Sequence, residues 1–311
     1  MNAPKTARPT VPRTAYEILP RPPGAPSRDR LGEGPFWSEA EGRLYWVDIA
    51  GRWAHALDPA TGKGWSWRAP SSCSAAIPTR TGGLMVALAD GLYRLDRDTG
   101  ALALFARPDP DPGNRSNETR CDPQGRIWLG TMCNNLGPEG EPIPLSRRSG
   151  GFFCISGDGS AVRMMADVGI ANTLCWSPDG TRLYCADTIR DTIWSFAYEA
   201  EGPQLFDRQV FAKGGPGHPD GSAMDEAGCL WTARWGGGRV VRYAPDGRID
   251  RELLLPVEQP SSCAFGGPGR RTLFVTTARQ ELEGLAPDSL DGSVFAFDVD
   301  VAGLPMTPFA G

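Results

Sequence analysis

The sequence contains only two histidines, His55 and His218, and this scarcity excludes several kinds of active site. A zinc protease of the HExxH type needs two histidines four residues apart, and they are not present. A Ser-His-Asp hydrolase needs one histidine, but the GxSxG turn that carries its serine is missing. The phosphate-binding patterns GxxxxGK[ST] and GxGxxG are missing as well. We therefore interpret His55 as a structural residue of a strand and His218 as a residue of a surface loop.

Basic clusters, long apolar runs and paired cysteines are also lacking. Lys and Arg number 32 against 37 Asp and Glu, which gives a net charge of −5 and little attraction for nucleic acid or an anionic membrane. No apolar run approaches the roughly 18 residues of a membrane span, and the N-terminus lacks the apolar centre of a signal peptide. The eight cysteines are scattered without a CxxC pair, as expected of reduced, mostly strand-buried thiols. These features predict a cytoplasmic protein that binds neither nucleic acid nor membrane, and they leave its oligomeric state open.

Glycine and proline are abundant, with 39 and 29 residues, and both are poor helix formers. Their abundance predicts many short strands joined by turns. Residues 1–14 contain three prolines, three basic residues and no periodic pattern, so we predict a disordered tail there. Residues 15–311 are predicted to form one domain.

One unit of sequence occurs six times along that domain. In each copy a turn ending in Gly (Arg270 in the last copy) precedes a short aromatic or β-branched strand, a second turn and a second strand. The copies begin about 40 to 55 residues apart, a period typical of β-propellers. They lie at 42–62, 82–100, 125–159, 180–202, 228–247 and 270–303. We therefore predict an all-β, six-bladed β-propeller; a two-sheet sandwich has similar strands but does not explain the period.

Four segments between these hairpins carry polar residues that turn formation does not explain. We interpret them as loops between blades: LGEGPFW, GNRSNETRCD, IANTLCWSPDG and HPDGSAMD. Glu33, Asn117, Asn172 and Asp220 each lie eight or nine residues ahead of the Gly that opens the following hairpin. Equal phase in a propeller means equal height, so these side chains should converge at one end of the central channel. Arg115, two residues before Asn117, should lie on the same face.

The chemistry of this set favours a divalent cation. Two carboxylates and an amide oxygen are hard ligands, and their small number leaves positions for water and substrate. A metal that polarises a carbonyl, together with a carboxylate that accepts a proton from water, suffices for ester or lactone hydrolysis. The alternative that Glu33, Asn172 and Asp220 merely cap turns stays open at this point.

These residues lie in segments that resemble the family of senescence marker protein (regucalcin), gluconolactonase and luciferin-regenerating enzyme. The resemblance extends from residue 31 to about 300 and includes LGEGPFW, NRSNETRCDPQGRIWLGTM and HPDGSAMDEAGCLWTARWGG. It implies a six-bladed propeller with one divalent metal in its channel and the activity of a sugar lactonase or related esterase. It further implies that Glu33, Asn172 and Asp220 bind the metal, that Asp220 is the general base, and that Arg115 and Asn117 contact the substrate.

Two departures from the family pattern bear on the substrate. The usual R-x-N-D-G reads R-S-N-E-T, so Glu118 and Thr119 replace Asp and Gly. Where several members have acidic residues after GTM, this chain has Cys133, Asn134 and Asn135. We include Glu118 and Asn135 among the predicted substrate-binding residues. The Pro/Gly-rich insert at 134–150 is interpreted as a lid over the channel mouth or as a plain solvent loop.

The sequence thus predicts a metal-dependent hydrolase that opens a sugar lactone such as gluconolactone, xylonolactone or arabinonolactone to the aldonic acid. One alternative is a calcium- or ligand-binding propeller without turnover. Another is a hydrolase of non-sugar lactones or esters, for which Trp235 could line an apolar pocket rather than pack between blades. Ca²⁺ is the first candidate for the metal, and Zn²⁺, Mn²⁺, Mg²⁺ and Fe²⁺ also suit oxygen ligands to varying degrees.

Overall fold

The six predicted hairpins form the second and third strands of six four-stranded antiparallel sheets in a computed structural model, which describes residues 15–311. The predicted six-bladed propeller is confirmed. The predicted tail, residues 1–14, lies outside the described residues. Blades 1 to 3 comprise β2 (Gly32–Ser38), β3 (Arg43–Asp48), β4 (Trp53–Leu57) and β5 (Gly64–Arg68); β6 (Cys73–Pro78), β7 (Leu84–Leu88), β8 (Gly91–Leu95) and β9 (Leu102–Ala106); and β10 (Asn114–Cys121), β11 (Ile127–Cys133), β12 (Gly150–Ile155) and β13 (Ala161–Val168).

Blades 4 and 5 follow the same pattern, and blade 6 joins the two ends of the chain. Blade 4 comprises β14 (Ala171–Trp176), β15 (Arg182–Asp187), β16 (Thr192–Glu199) and β17 (Gln204–Lys213), and blade 5 comprises β18 (His218–Met224), β19 (Leu230–Trp235), β20 (Arg239–Tyr243) and β21 (Ile249–Leu254). Blade 6 comprises β22 (Pro260–Gly266), β23 (Thr272–Thr277), β24 (Val294–Asp298) and the N-terminal β1 (Glu17–Ile18). Because β1 pairs with β24, hydrogen bonds between the chain ends close the ring.

Burial decreases from the first strand of each blade to the fourth. The first strands β10, β14 and β22 are buried throughout, and first strands of adjacent blades contact one another, such as β2 with β6 and β22. The outer strands β13 and β17 are mostly exposed, and β9 and β21 are a mixture of exposed and half-buried residues with one buried residue each. The first strands therefore surround the central channel, and the core lies between the blades.

Six of the seven predicted site residues lie on these first strands, and Asn135 lies in the insert. This corrects the interpretation of the four polar segments as loops between blades. The segments contain Gly, Pro, Asn and Asp, which favour turns when read locally. Tertiary burial overrides this tendency, because each segment lies between two neighbouring blades. Glu33 is on β2, Asn117 on β10, Asn172 on β14 and Asp220 on β18.

The C-terminal segment covers the end of the channel at which the first strands end. Its backbone amides donate to carbonyls of blades 5, 2 and 3. The bonds are Leu304 to Met224 at 2.9 Å, Phe309 to Pro78 at 3.0 Å and Ala310 to Gly125 at 2.9 Å. Glu33 and its equivalents lie near the starts of their strands, so the predicted site is at the opposite end.

Two further expectations concern the cysteines and the membrane. All eight cysteines are buried and none forms a disulfide within the described chain. Across residues 15–311 there is no helix with the length and apolar character needed to span a bilayer.

Candidate active site

A β-bulge interrupts every first strand at the height of the predicted site residues. A bulge bends its strand and redirects side chains, and such bulges are frequent beside active sites. Here they aim polar side chains into the channel while the rest of each strand keeps its pairing. The irregularities fall between Glu33 and Phe36, Cys73 and Ala75, Ser116 and Thr119, Asn172 and Cys175, Pro219 and Ser222, and Pro260 and Ser262.

Glycines beside two of the acids permit close packing of neighbouring blades. Gly34 has φ +54°, and a Cβ there would lie 2.9 Å from the carbonyl oxygen of Ser74 in blade 2. A Cβ at Gly221 would collide with Ser262 Oγ of blade 6. The chain therefore has Gly beside Glu33 and Asp220 because no larger residue fits between the first strands at these two positions.

The predicted residues meet at a cavity of about 310 Å³ at the channel end where the first strands begin. Six of the seven predicted site residues line it, five from first strands and one from the insert: Glu33, Arg115, Asn117, Asn172, Asp220 and Asn135. The phase argument therefore placed residues from blades 1, 3, 4 and 5 correctly at one end of the channel.

A chain of hydrogen bonds connects the amides of this cavity. Arg115 donates through Nε and Nη2 to Asn135 Oδ1 at 3.1 and 2.9 Å and through Nη1 to Asn117 Oδ1 at 2.8 Å. Asn117 Nδ2 donates to Asn172 Oδ1 at 3.0 Å, and Asn172 Nδ2 donates to Thr188 Oγ1 at 2.8 Å. Burial lowers the pKa of Arg115 to about 10, so its guanidinium stays charged at neutral pH.

The two predicted acidic ligands are buried against each other. Glu33 is 9% exposed and Asp220 5%, and the two carboxyl groups are close enough for each to shift the pKa of the other. Burial, followed by the charge of Glu118, raises the pKa of Glu33 to about 8. Burial and the charges of Glu33 and Glu118 raise the pKa of Asp220 well above its usual value. Without a cation, the site resists holding both groups ionised.

This electrostatic strain is the observation that fits a divalent cation. The third predicted ligand is the amide of Asn172. Its nitrogen donates to Thr188, so its oxygen is on the side of Asn117. Groups of three or more His, Cys, Asp and Glu arranged as metal ligands do not occur in residues 15–311, so a metal here would rest on two carboxylates and an amide. A cation bound by Glu33, Asp220 and Asn172 would remove the repulsion between the two carboxylates.

Glu118 is the one predicted residue that the structure does not bring to the cavity. Its Oε1 accepts a hydrogen bond from Arg120 Nε at 3.1 Å. Arg120 in turn donates to the carbonyl of Pro35 at 2.7 Å and, at longer range, to that of Cys263. The pair thus lies within the channel wall and acts on Glu33 and Asp220 through its charge rather than by lining the cavity.

The 134–150 insert reaches from blade 3 to the entrance of blade 1. Arg30 donates to the carbonyls of Glu139 and Gly140, and the amide of Ile143 donates to the carbonyl of Asn135 at 2.8 Å. These contacts favour the lid interpretation over a plain solvent loop, because they hold the insert beside the cavity and fix Asn135.

The two histidines have different environments. His55 is fully buried in blade 1, with Nδ1 2.9 Å from Ser66 Oγ and Nε2 3.6 Å from Asp29 Oδ1, which agrees with a structural role. His218 begins β18 rather than lying in a loop, and its exposed side chain borders the cavity.

Comparison with known proteins identifies the family to which the chain belongs. A family model described as "SMP-30/Gluconolactonase/LRE-like region" matches residues 31–279. The chain belongs to this family. It is similar to 6-deoxy-6-sulfogluconolactonase of Pseudomonas putida (38% identity, 90% of this chain and 95% of that protein) and L-arabinolactonase of Azospirillum brasilense (35%, 92% and 94%).

A solved structure supports the same assignment. The crystal structure of a calcium-binding protein, regucalcin, from Agrobacterium tumefaciens matches with a TM-score of 0.84 at 31% identity, covering 96% of this chain and 98% of that one. The predicted resemblance to this family is therefore confirmed.

In this family member, sequence reasoning missed the cavity residues that follow the second strands. Thr188, Trp235 and Gln280 line the cavity, and each lies at or shortly after the end of the second strand of its blade. The sequence places Trp235 at a pocket only under the alternative of a hydrolase of non-sugar lactones or esters. A phase comparison extended past the second strand would have found this set, although unequal loop lengths blur the phase.

Proposed function

We propose that this protein is a metal-dependent lactonase that opens a sugar lactone to the aldonic acid. The observation that carries the proposal is the convergence of Glu33, Asn172 and Asp220 with Arg115 and Asn117 on one small cavity. The lactonases among its relatives support the reaction type. A volume of about 310 Å³ suits a small-molecule substrate such as gluconolactone, xylonolactone or arabinonolactone.

Asp220 is the group assigned to proton transfer. Its ionised carboxylate accepts a proton from a water molecule while the water oxygen forms a bond to the lactone carbonyl carbon. The bond between that carbon and the ring oxygen then breaks, and the departing oxygen takes the proton back from Asp220 as an alcohol. The product is the open-chain hydroxy acid, and no further reactant is needed.

Arg115 and Asn117 are assigned to orienting the substrate. Both are held by the hydrogen bonds to Asn135 and Asn172, so they lose little side-chain freedom when a ligand binds. Arg115 adds a positive charge beside the reacting carbonyl, where negative charge develops during the reaction.

A divalent cation would be held by Glu33, Asn172 and Asp220, and when bound it would polarise the lactone carbonyl as a Lewis acid. It would also favour the ionised form of Asp220 that proton transfer requires. The oxygen ligands suit Ca²⁺ first, which agrees with the calcium-binding regucalcin among the structural neighbours.

Two other functions are compatible with particular observations. The calcium-binding description of the structural neighbour favours a propeller that binds a cation without turnover. Apolar residues at the cavity, among them Leu31, Ile49 and Ile189, favour a hydrolase of non-sugar lactones or esters. The first alternative predicts that no substrate is hydrolysed, and the second predicts that non-sugar lactones or esters are hydrolysed in preference to sugar lactones.

The test is a pH-stat assay of the purified protein on a panel of sugar lactones, non-sugar lactones and simple esters. The assay is run after chelation and after addition of Ca²⁺, Mg²⁺, Mn²⁺, Zn²⁺ or Fe²⁺. We expect sugar lactones to be preferred and chelation to abolish turnover reversibly. Asp220→Asn should lower kcat by about 100-fold or more, because it removes the proton acceptor. Glu33→Gln should weaken metal binding measured by calorimetry.

Glu39→Gln is the matched control, since Glu39 pairs with Arg270 near the turn between β2 and β3, at the far end of the strand from Glu33. It should retain wild-type turnover and metal binding. Full lactonase activity after exhaustive chelation would refute metal dependence. Cation binding without hydrolysis of any substrate would instead favour the non-catalytic alternative.

A further inference from the structure

Blade 6 contributes a glutamine to the cavity that the mechanism above does not use. Gln280 lies between β23 and β24, is 9% exposed and lines the cavity. Its backbone is fixed, because the amides of Arg279 and Gln280 both donate to the carbonyl of Arg30, at 3.1 and 2.9 Å. The side chain is therefore presented to the cavity from a constrained turn.

The amide of Gln280 lacks a partner for its oxygen. Oε1 is buried and accepts no hydrogen bond from any of the residues 15–311. Buried polar atoms in folded proteins are nearly always paired, and among the unpaired side-chain atoms of the described chain only that of Gln280 belongs to a residue that lines the cavity, where a ligand or water can supply the partner. A hydroxyl group fits either orientation of the amide, because a hydroxyl both donates and accepts.

The position of blade 6 makes this amide complementary to the residues already assigned. In a ring of six blades, blade 6 is directly opposite blade 3, which carries Arg115 and Asn117. A ligand between these walls would meet polar groups on two sides. The remaining first-strand residues at this height in blades 2 and 6, Ser74 and Ser261, are small, and their hydroxyls donate to Ser116 Oγ and to the carbonyl of Gly32.

Trp235 supplies an aromatic surface to the same cavity. It ends β19 of blade 5, is half-buried, and lines the cavity together with Leu31 and Ile49. It also packs against a large apolar cluster that includes residues of blades 1 to 3. The face of an indole accommodates the C–H face of a saturated ring, while hydroxyls at the ring edge stay free for hydrogen bonds.

We infer that Gln280 and Trp235 form a subsite for a polyhydroxylated ring, in which Trp235 contacts the C–H face and the Gln280 amide binds a ring hydroxyl. The inference rests on the proposed function and adds to it the two residues that select a hydroxylated ring. It explains how a cavity with several apolar walls discriminates in favour of a sugar: an unsubstituted lactone leaves the Gln280 amide unpaired, and a hydroxylated one pairs it.

The test compares two lactones with the same six-membered ring, D-glucono-1,5-lactone and δ-valerolactone, which lacks hydroxyls. Gln280→Leu should raise KM for gluconolactone about three- to tenfold with kcat nearly unchanged, as expected for one neutral hydrogen bond. The effect on δ-valerolactone should be smaller or reversed. Trp235→Leu should raise KM for both lactones, and Trp235→Phe should recover most of the loss.

Binding of 1,5-anhydro-D-glucitol, measured by calorimetry, is a second readout that does not depend on turnover. This ring has sugar hydroxyls but no carbonyl to be attacked. Its affinity should fall about three- to tenfold in Gln280→Leu. Gln280→Ala is the second variant if Leu disturbs folding. Gln259→Leu is the matched control, because Gln259 also has a buried unpaired amide oxygen but does not line the cavity.

The outcomes separate the subsite from the proposed function. Equal changes in KM for both lactones in Gln280→Leu, or an unchanged affinity of folded Gln280→Leu for anhydroglucitol, would overturn the subsite even if the wild type is an active lactonase. Another outcome is that the wild type hydrolyses no lactone, while Gln280→Leu binds anhydroglucitol more weakly than the wild type and Gln259→Leu does not. That result would support the subsite and reject the lactonase proposal.

Discussion

The orientation of one amide decides whether the cavity can offer an oxygen to a cation. Asn172 Nδ2 is bound to Thr188 Oγ1, and Thr188 itself donates to the carbonyl of Pro219 at 2.8 Å. These bonds hold the nitrogen of the Asn172 amide at Thr188 and leave its oxygen on the side of Asn117. Thr188 is therefore a positioning residue: its hydroxyl links blades 4 and 5 and selects the orientation of a predicted ligand.

The buried carboxyl groups give the metal-free protein a pH-dependent stability. The pKa of Glu33 is raised to about 8, so between its unfolded value and about 8 the folded state binds more protons than the unfolded state. Stability therefore falls as pH rises through this window. We expect the free energy of unfolding of chelated protein to drop by on the order of 3 kcal/mol between pH 5 and pH 8. Urea titrations at several pH values measure it.

Two comparisons identify the groups responsible. Glu33→Gln keeps the shape of the side chain without the ionisation, so the slope should become clearly shallower, and buried Asp220 should account for the slope that remains. Adding Ca²⁺ to the wild type should stabilise it more at pH 8 than at pH 5, because the cation binds the ionised carboxylates. The same slope in Glu33→Gln as in the wild type would assign the effect to other groups.

Single residues were predictable where their phase in the repeat could be read. Glu33, Asn117, Asn172 and Asp220 share one position of the repeated unit, and the cavity contains all four. Glu118 is adjacent to Asn117 in sequence, but it pairs with Arg120 rather than lining the cavity. Adjacency in sequence does not predict whether a side chain faces the cavity. Gln280 could not be recognised because its relevance lies in an unpaired oxygen, which only the three-dimensional surroundings reveal.

At the scale of elements, a buried aspartate fixes the turn that joins the first and second strands in two blades. Asp225 Oδ1 accepts the backbone amides of Ala227 and Cys229, and its Oδ2 accepts Trp231 Nε1 and Arg242 Nε, all at 2.8–2.9 Å. Asp122 in blade 3 accepts the equivalent two backbone amides and the equivalent tryptophan, but its arginine partner, Arg126, lies in the turn itself. In both blades one carboxylate binds the turn and the second strand, and in blade 5 it also binds the third strand.

Replacing that carboxylate should destabilise the fold without direct effect on the cavity. Asp225→Asn retains the shape but loses the charge and turns one acceptor into a donor that faces donors. We expect a loss of about 2–3 kcal/mol in the free energy of unfolding, measured in urea. Asp246→Asn is the control, because Asp246 occupies an exposed turn between β20 and β21 and should cost less than about 1 kcal/mol. Equal losses in both variants would contradict the central role of Asp225.

The elements most clearly predicted were the second and third strands, because their aromatic and β-branched residues recur with one period. The first strands were misread as loops, since the Gly, Pro and Asn residues that their bulges and close packing require are the same residues that form turns. The strand β1 has two residues and acquires its identity only by pairing with β24 at the other end of the chain. The sequence around β1 contains no local pattern that predicts this pairing.

For the molecule as a whole, the two ends of the channel have separate tasks. The cavity occupies the end where the first strands begin, and the C-terminal segment covers the other. Phe309 anchors that segment: its side chain is fully buried, its ring contacts that of Phe105 edge-on at 5.5 Å, and its backbone pairs with Thr79 of blade 2. Together with its backbone bonds to Met224 and Gly125, this contact makes the segment connect blades 5, 2 and 3 at this end of the channel.

Stability and substrate binding should accordingly be separable. Phe309→Ala removes a fully buried ring and should lower the free energy of unfolding by about 3–5 kcal/mol, while KM for a hydrolysed lactone stays within about twofold, because the altered contacts lie at the opposite end of the channel from Glu33 and Asp220. Phe206→Ala makes the same chemical change on the outer strand β17, where the ring is 48% exposed, and should cost less than about 1 kcal/mol. Urea titration and steady-state kinetics of both variants measure the two quantities. A large rise in KM in folded Phe309→Ala would show that the two ends are coupled, since the strain at one end would then have to pass along the first strands that carry the site at the other.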